Sequence, residues 1–62
     1  MTLKKIRMEK GLTQEELAIK SKISLSSIVR IERTGKCTIT LAQKIANALN
    51  VTIDEIFPDN GK

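Results

Sequence analysis

The feature that most restricts this chain is a series of helix-start signals, so closely spaced that no long element fits between them. Thr13 and Glu16 form a capping box, in which the threonine hydroxyl accepts from the amide three residues on and the glutamate reaches back to the cap amide. Leu12 and Leu17 flank it as a hydrophobic staple. Thr40 to Gln43 repeats the box, and Thr52 to Glu55 repeats it again, with Val51 and Ile56 as its staple. Ser24 is a simple cap between Ile23 and Ile28, and Thr2 can cap a first helix. One cap contributes about 1 kcal/mol; several in order define a fold class. Stops agree with the starts. Gly11 and Asn50 suit the left-handed residue that closes a helix, Thr34-Gly35 closes a third, and Pro58 ends a fifth. The pattern predicts an all-α chain with helices over about 3–10, 14–21, 25–33, 41–49 and 53–57. The alternation in Thr38-Ile39-Thr40 is too short to count as a strand.

With 62 residues, residues 1–62 read as one small domain, too small for a deep catalytic cleft. Apolar residues make up 40% of the chain, enough for a folded module. Phe57 is the sole aromatic residue, so the core must be aliphatic and base-stacking platforms for single strands are excluded. Helical spacing points Leu3 and Ile6 inward from the first helix, Leu17 and Ala18 from the second, and Ile28 and Ile31 from the third. Leu41, Ile45, Ala48 and Leu49 follow from the fourth, with Ile53 and Ile56 from the fifth. Cys37 is the only cysteine, which rules out an internal disulfide and fits a reducing, cytoplasmic setting. No signal segment or long apolar run argues for export or a membrane partner.

The net charge of +4 is ordinary for a soluble protein, but its placement is not. Between Lys20 and Lys36 there are five basic residues and one acid, Glu32, whereas the carboxy-terminal segment carries Asp54, Glu55 and Asp59. Two short helices with a three-residue break, Ser21-Lys22-Ile23, run through the basic region, the arrangement that delivers one helix into the major groove of double-stranded DNA. On a helical wheel at about 100° per residue, Ile28 and Ile31 lie about 60° apart and define the buried side. Ser26, Val29 and Arg33 then lie opposite, bordered by Leu25 and Arg30, with Lys22 extending the stripe. These are groups that read base edges: arginine on guanine, serine on several bases, an apolar side chain on a thymine methyl. Valine is a poor helix former with nothing to gain in water, although single exposed apolar residues are also ordinary.

At the start of the second helix, free amides and the helix dipole suit a phosphate oxygen, and Gln14 can add a neutral donor. Lys36 and Thr38 lie in the loop after the third helix, either within reach of a DNA backbone or as an ordinary solvated loop. Catalysis finds no support. Histidine, tyrosine and tryptophan are absent, and Cys37 has no base beside it. Glu15 and Glu16 point apart on their helix, and no glycine cradle or metal-ligand cluster exists, so no cofactor or metal is implied and the chain is not expected to be an enzyme.

GLTQEELA, the break, IS-x-SSI-x-RIER and the capped LAQKIANALNVTIDEIF together resemble the lambdoid-phage repressor and Cro type of helix-turn-helix domain, the xenobiotic-response-element family of regulators. The resemblance runs from about Leu3 to Phe57. It implies a compact five-helix DNA-binding domain whose third helix enters the major groove, acting as a homodimer on a near-palindromic operator, most often as a repressor. By position, Leu25, Ser26 and Arg30 fall on base contacts, with Val29 added by the wheel. Gln14 falls on a phosphate contact, and Arg33, Lys36 and Thr38 fall on the backbone-contacting region. The resemblance also suggests a structural pair between Arg7 and Glu32. The chain departs from the family where Lys22 replaces a turn glycine, Ser21 a small residue, Ile39 a proline and Thr34 a glycine. A lysine held in the left-handed conformation at 22 costs about 1 kcal/mol, which a DNA contact can offset. An antitoxin or another protein-interaction module on the same fold is the alternative, with a toxin or co-regulator as partner. Phe57 and Pro58, at the edge of the last helix, are the expected contact with a twin subunit across a two-fold axis.

Overall fold

Four of the helices begin at a hydroxyl cap. The computed structural model describes residues 2–57, with the side chain of Thr2 left out. It contains α1 (Thr2–Glu9), α2 (Gln14–Ser21), α3 (Leu25–Thr34), α4 (Ile39–Leu49) and α5 (Ile53–Ile56), with no strand among the described residues. Thr13 and Thr52 head complete capping boxes with Glu16 and Glu55. Ser24 accepts from the Ser27 amide at 3.3 Å. Thr2 is itself helical, so it does not cap α1.

The start of α4 differs from the pattern read in the sequence. Thr38, not Thr40, is the cap, accepting from the Leu41 amide at 3.3 Å, and the helix begins at Ile39 rather than Leu41. Either threonine could cap, but starting at Thr38 adds the Ala42 amide to Thr38 carbonyl bond, at 2.9 Å, to the ladder. Ile39 thereby becomes the first helical residue. The amide at that place has no helical partner to lose, so a proline there would be tolerated. At the other end, α5 stops at Ile56, and Phe57 follows it in a conformation that is neither helical nor extended (φ −125°, ψ 74°).

Three helices end in the same double-bonded closure. After α1, Gly11 (φ 73°) donates to the Met8 carbonyl at 3.0 Å and Leu12 to the Arg7 carbonyl at 3.1 Å. Lys22 and Ile23 do the same on Ile19 and Ala18 after α2, and Asn50 and Val51 on Asn47 and Ala46 after α4. The closing residue must be left-handed in each case. Glycine and asparagine fill that place at little strain; Lys22, at φ 60° and ψ 36°, does not.

α2 packs on α3 and α4, and α5 packs on α1 and α4. The largest fully enclosed side chains are Leu3, Leu17, Ile28, Ile31, Ile45 and Ile56, as the apolar spacing indicates. The inner face of α4 is rotated from the expected one: Ala42 and Ala46 are buried beside Ile45 and Leu49, while Leu41 and Ala48 are only half-buried. Wheel arithmetic alone tends to assign the larger residue to the core, whereas here two alanines take that place. Ile23 and Phe57 complete the cluster. Two buried polar residues are satisfied. Ser21 Oγ donates to the Leu17 carbonyl at 2.7 Å, and Arg7 is held by partners described below. Among the described residues no helix is long and apolar enough to cross a membrane.

Candidate nucleic-acid interface

Ile28 and Ile31 are completely enclosed, and this fixes the rotation of α3 about its axis. Leu25, Ser26, Val29, Arg30 and Arg33 are left on its outer side, all exposed. Leu25 and Val29 keep 41% and 43% of their surface open, in a chain that also exposes Met8, Ile19 and Ile39. The single acid of α3, Glu32, is turned away with its side chain 6% exposed. The outer side therefore carries two guanidinium groups and no carboxylate. Arg7–Glu32 is the only ion pair among the described residues, so Lys22, Arg30, Arg33 and Lys36 have no carboxylate partner there.

The turn before α3 presents Lys22 to solvent beside Leu25; with Glu15, Ile19 and Ile23 they border a shallow depression between α2 and α3. Ser24 both accepts from the Ser27 amide and donates to Ser27 Oγ at 2.9 Å, so Ser27 is engaged at the cap and Ser26 faces out.

After α3, Gly35 (φ 75°) donates to the Ile31 carbonyl at 2.8 Å. Thr34 Oγ1 donates to the Arg30 carbonyl at 3.0 Å and accepts from the Lys36 amide at 3.2 Å. A threonine in the place of a frequent glycine thus stitches the loop to the helix end and leaves the Lys36 side chain exposed. Thr38 is exposed too, with its hydroxyl oxygen already accepting from the Leu41 amide; its hydroxyl hydrogen remains a donor. Cys37, between them, is half-buried against the core. Burial pushes its thiol above the ordinary value of 9.0, which keeps it protonated and a poor nucleophile.

The amino end of α2 is tied to both neighbouring helices. Arg7 Nε donates to Glu32 Oε2 at 2.6 Å and Arg7 Nη1 to the Leu12 carbonyl at 2.6 Å. Gln14 Nε2 donates to Glu32 Oε1 at 3.0 Å. The side chain expected to face a phosphate is therefore half-buried and has given one of its two amide hydrogens to α3. Nothing in the sequence signals this bond, because Gln14 and Glu32 lie eighteen residues apart. Phe57 is 6% exposed and belongs to the core, so its ring serves this chain's own packing rather than standing open at the edge of the last helix. Pro58 lies outside the described residues.

A helix-turn-helix family model matches residues 3–56, from the first described turn of α1 to the end of α5. The chain belongs to the helix-turn-helix family. Its type is that of the lambdoid repressors and Cro, a class of DNA-binding transcription regulators. A related protein, the uncharacterised SPbeta prophage-derived helix-turn-helix transcriptional regulator YopO of Bacillus subtilis (strain 168), is 32% identical over 60 residues, covering 95% of this chain and 86% of the relative. No solved structure matches the chain. In the helix-turn-helix, α2 and α3 are the two defining helices and Ser21-Lys22-Ile23 is the turn, with Ser21 and Ile23 buried and Lys22 outside.

Proposed function

We propose that this helix-turn-helix protein is a sequence-specific regulator of transcription that reads double-stranded DNA with α3 and represses by occupying its operator as a homodimer. The observation that carries the reading is the acid-free outer side of α3, mounted on the enclosed Ile28 and Ile31. Arg30 pairs with a guanine edge, Ser26 with a neighbouring base, and Leu25 and Val29 pack on thymine methyl groups. Gln14, Lys22, Arg33, Lys36 and Thr38 hold phosphates and set the register; they carry affinity, not sequence. One such helix covers half a site, so a two-fold pair is needed for useful specificity. With Phe57 in the core, the pair contact falls on the surface around α5 rather than on the phenyl ring.

Selection of bound duplexes from a random pool tests this reading. It should return near-palindromic sequences with half-sites centred about 34 Å apart. Affinity for the selected duplex should fall with salt at a log–log slope of about −0.9 per neutralised phosphate. A pool that shows no enrichment, or a flat salt response, refutes the proposal.

A further inference from the structure

Glu32 stands out among the buried groups because it binds more than the pair partner that folding requires. Its carboxylate, at the far end of α3, accepts from Arg7 Nε and, at 3.4 Å, from Arg7 Nη2. It then also accepts from Gln14, the first residue of α2. Arg7 in turn holds the Leu12 carbonyl, in the loop that leads into α2. One carboxylate thus fixes the end of the reading helix to the start of its neighbour. An open depression bordered by Lys4, Arg7, Gly11, Thr13, Gln14 and Glu32 lies over this junction.

A primary amide is planar and carries two hydrogens on one nitrogen. Once Glu32 takes one, the direction of the other is set, and so is that of the amide oxygen. An unheld glutamine on the first turn of a helix samples several rotamers, and a phosphate contact then has to freeze them. The carboxylate also polarises the amide it holds. We infer that Glu32 is a positioning residue for DNA: through Gln14 Nε2 it aims the second amide hydrogen of Gln14 at a backbone phosphate, so that the phosphate contact of α2 and the base contacts of α3 move as one unit. The inference rests on the DNA-binding reading above. Arg7 has a separate part in the arrangement, since its charge keeps a carboxylate tolerable near the phosphate.

The test is the penalty of Gln14→Ala for a labelled duplex recovered from the random-pool selection, measured in three backgrounds. In the otherwise native chain the loss should be about ten-fold, the worth of one hydrogen bond to a charged group. In Glu32→Gln, which keeps an acceptor oxygen and Arg7, the penalty should persist. In the double variant Arg7→Met, Glu32→Leu, which replaces the pair by apolar groups and so preserves the fold, the penalty should shrink to less than about two-fold. Thermal melting followed by circular dichroism confirms that each background is folded. A purely structural Glu32 gives the same Gln14 penalty in all three backgrounds, which overturns the inference, as does the absence of any penalty in the native background. Failure of the DNA-binding reading looks different: no salt-dependent binding of the duplex in any background.

Discussion

Lys22→Gly should make this protein more stable and a weaker DNA binder at once. The backbone at 22 is left-handed, φ 60° and ψ 36°, because the closure of α2 requires it: Lys22 donates to the Ile19 carbonyl at 3.3 Å and Ile23 to the Ala18 carbonyl at 3.1 Å. A residue with a Cβ holds that conformation at a cost of about 1–2 kcal/mol. Glycine removes the cost but gives the unfolded chain about 0.5–1 kcal/mol more entropy to lose. The difference leaves a net gain of about 0.5–1 kcal/mol, which in a domain of this size raises Tm by about 2–8 °C. The side chain is exposed and makes no ion pair among the described residues, so nothing it does for the fold opposes the gain. If it holds a phosphate, the salt dependence of operator binding should flatten by about 0.9 in log–log slope. Lys22→Ala separates the two effects: it keeps the strain and loses the charge, so Tm should stay near that of the native chain while the slope falls as in the glycine variant. Melting at 222 nm and fluorescence anisotropy between about 50 and 200 mM salt supply both readouts. A glycine variant that melts lower refutes the strain argument; an unchanged slope in both variants removes Lys22 from the DNA contact.

Arg30→Ala should cost about 1–3 kcal/mol on the selected operator and relax preference at one base pair; an equal loss on all sequences would make Arg30 a phosphate contact instead. Ala42→Leu should destabilise by about 1–3 kcal/mol, because the side chain at 42 is fully enclosed and the added atoms must displace their neighbours; an unchanged melting curve would show that the core has room for them. The Cys37 thiol, pushed up from 9.0 by burial, keeps its proton in the folded chain where the unfolded chain releases it. Stability should therefore be insensitive to this group below about pH 9 and decline as pH rises past that value, and Cys37→Ala should remove that part of the decline. Equal alkaline slopes in the two proteins, from chemical denaturation at several pH values, would contradict it.

Much of the architecture was legible as local chemistry. A capping threonine and its glutamate sit three residues apart, and a helix period repeats over four, so Thr13 with Glu16, Thr52 with Glu55, and the pairing of Ile28 with Ile31 can be read without knowing where the rest of the chain lies. The outer side of α3 follows from its inner side by subtraction. Local chemistry also misled at α4: the sequence pattern puts the cap at Thr40, whereas the helix starts from Thr38 and gains a backbone bond by its extra length.

Tertiary packing settled what local rules leave open. Ala42 and Ala46 are inside because α4 packs on both α2 and α5, so the direction of its inner face is a property of the assembled helices and not of α4 alone. Phe57 is inside although it follows the last helical residue, its amide still bonded to the Ile53 carbonyl and its ring buried in the core. The bond from Gln14 to Glu32 exists only once α1, α2 and α3 are assembled, since it joins groups brought together by the buried Arg7. Sequence determines which segments become helices and which side of each is apolar, because those depend on neighbours within a turn or two. How the helices abut, and so which polar side chain meets which, depends on volumes summed over several segments, and that sum is available only in the folded chain.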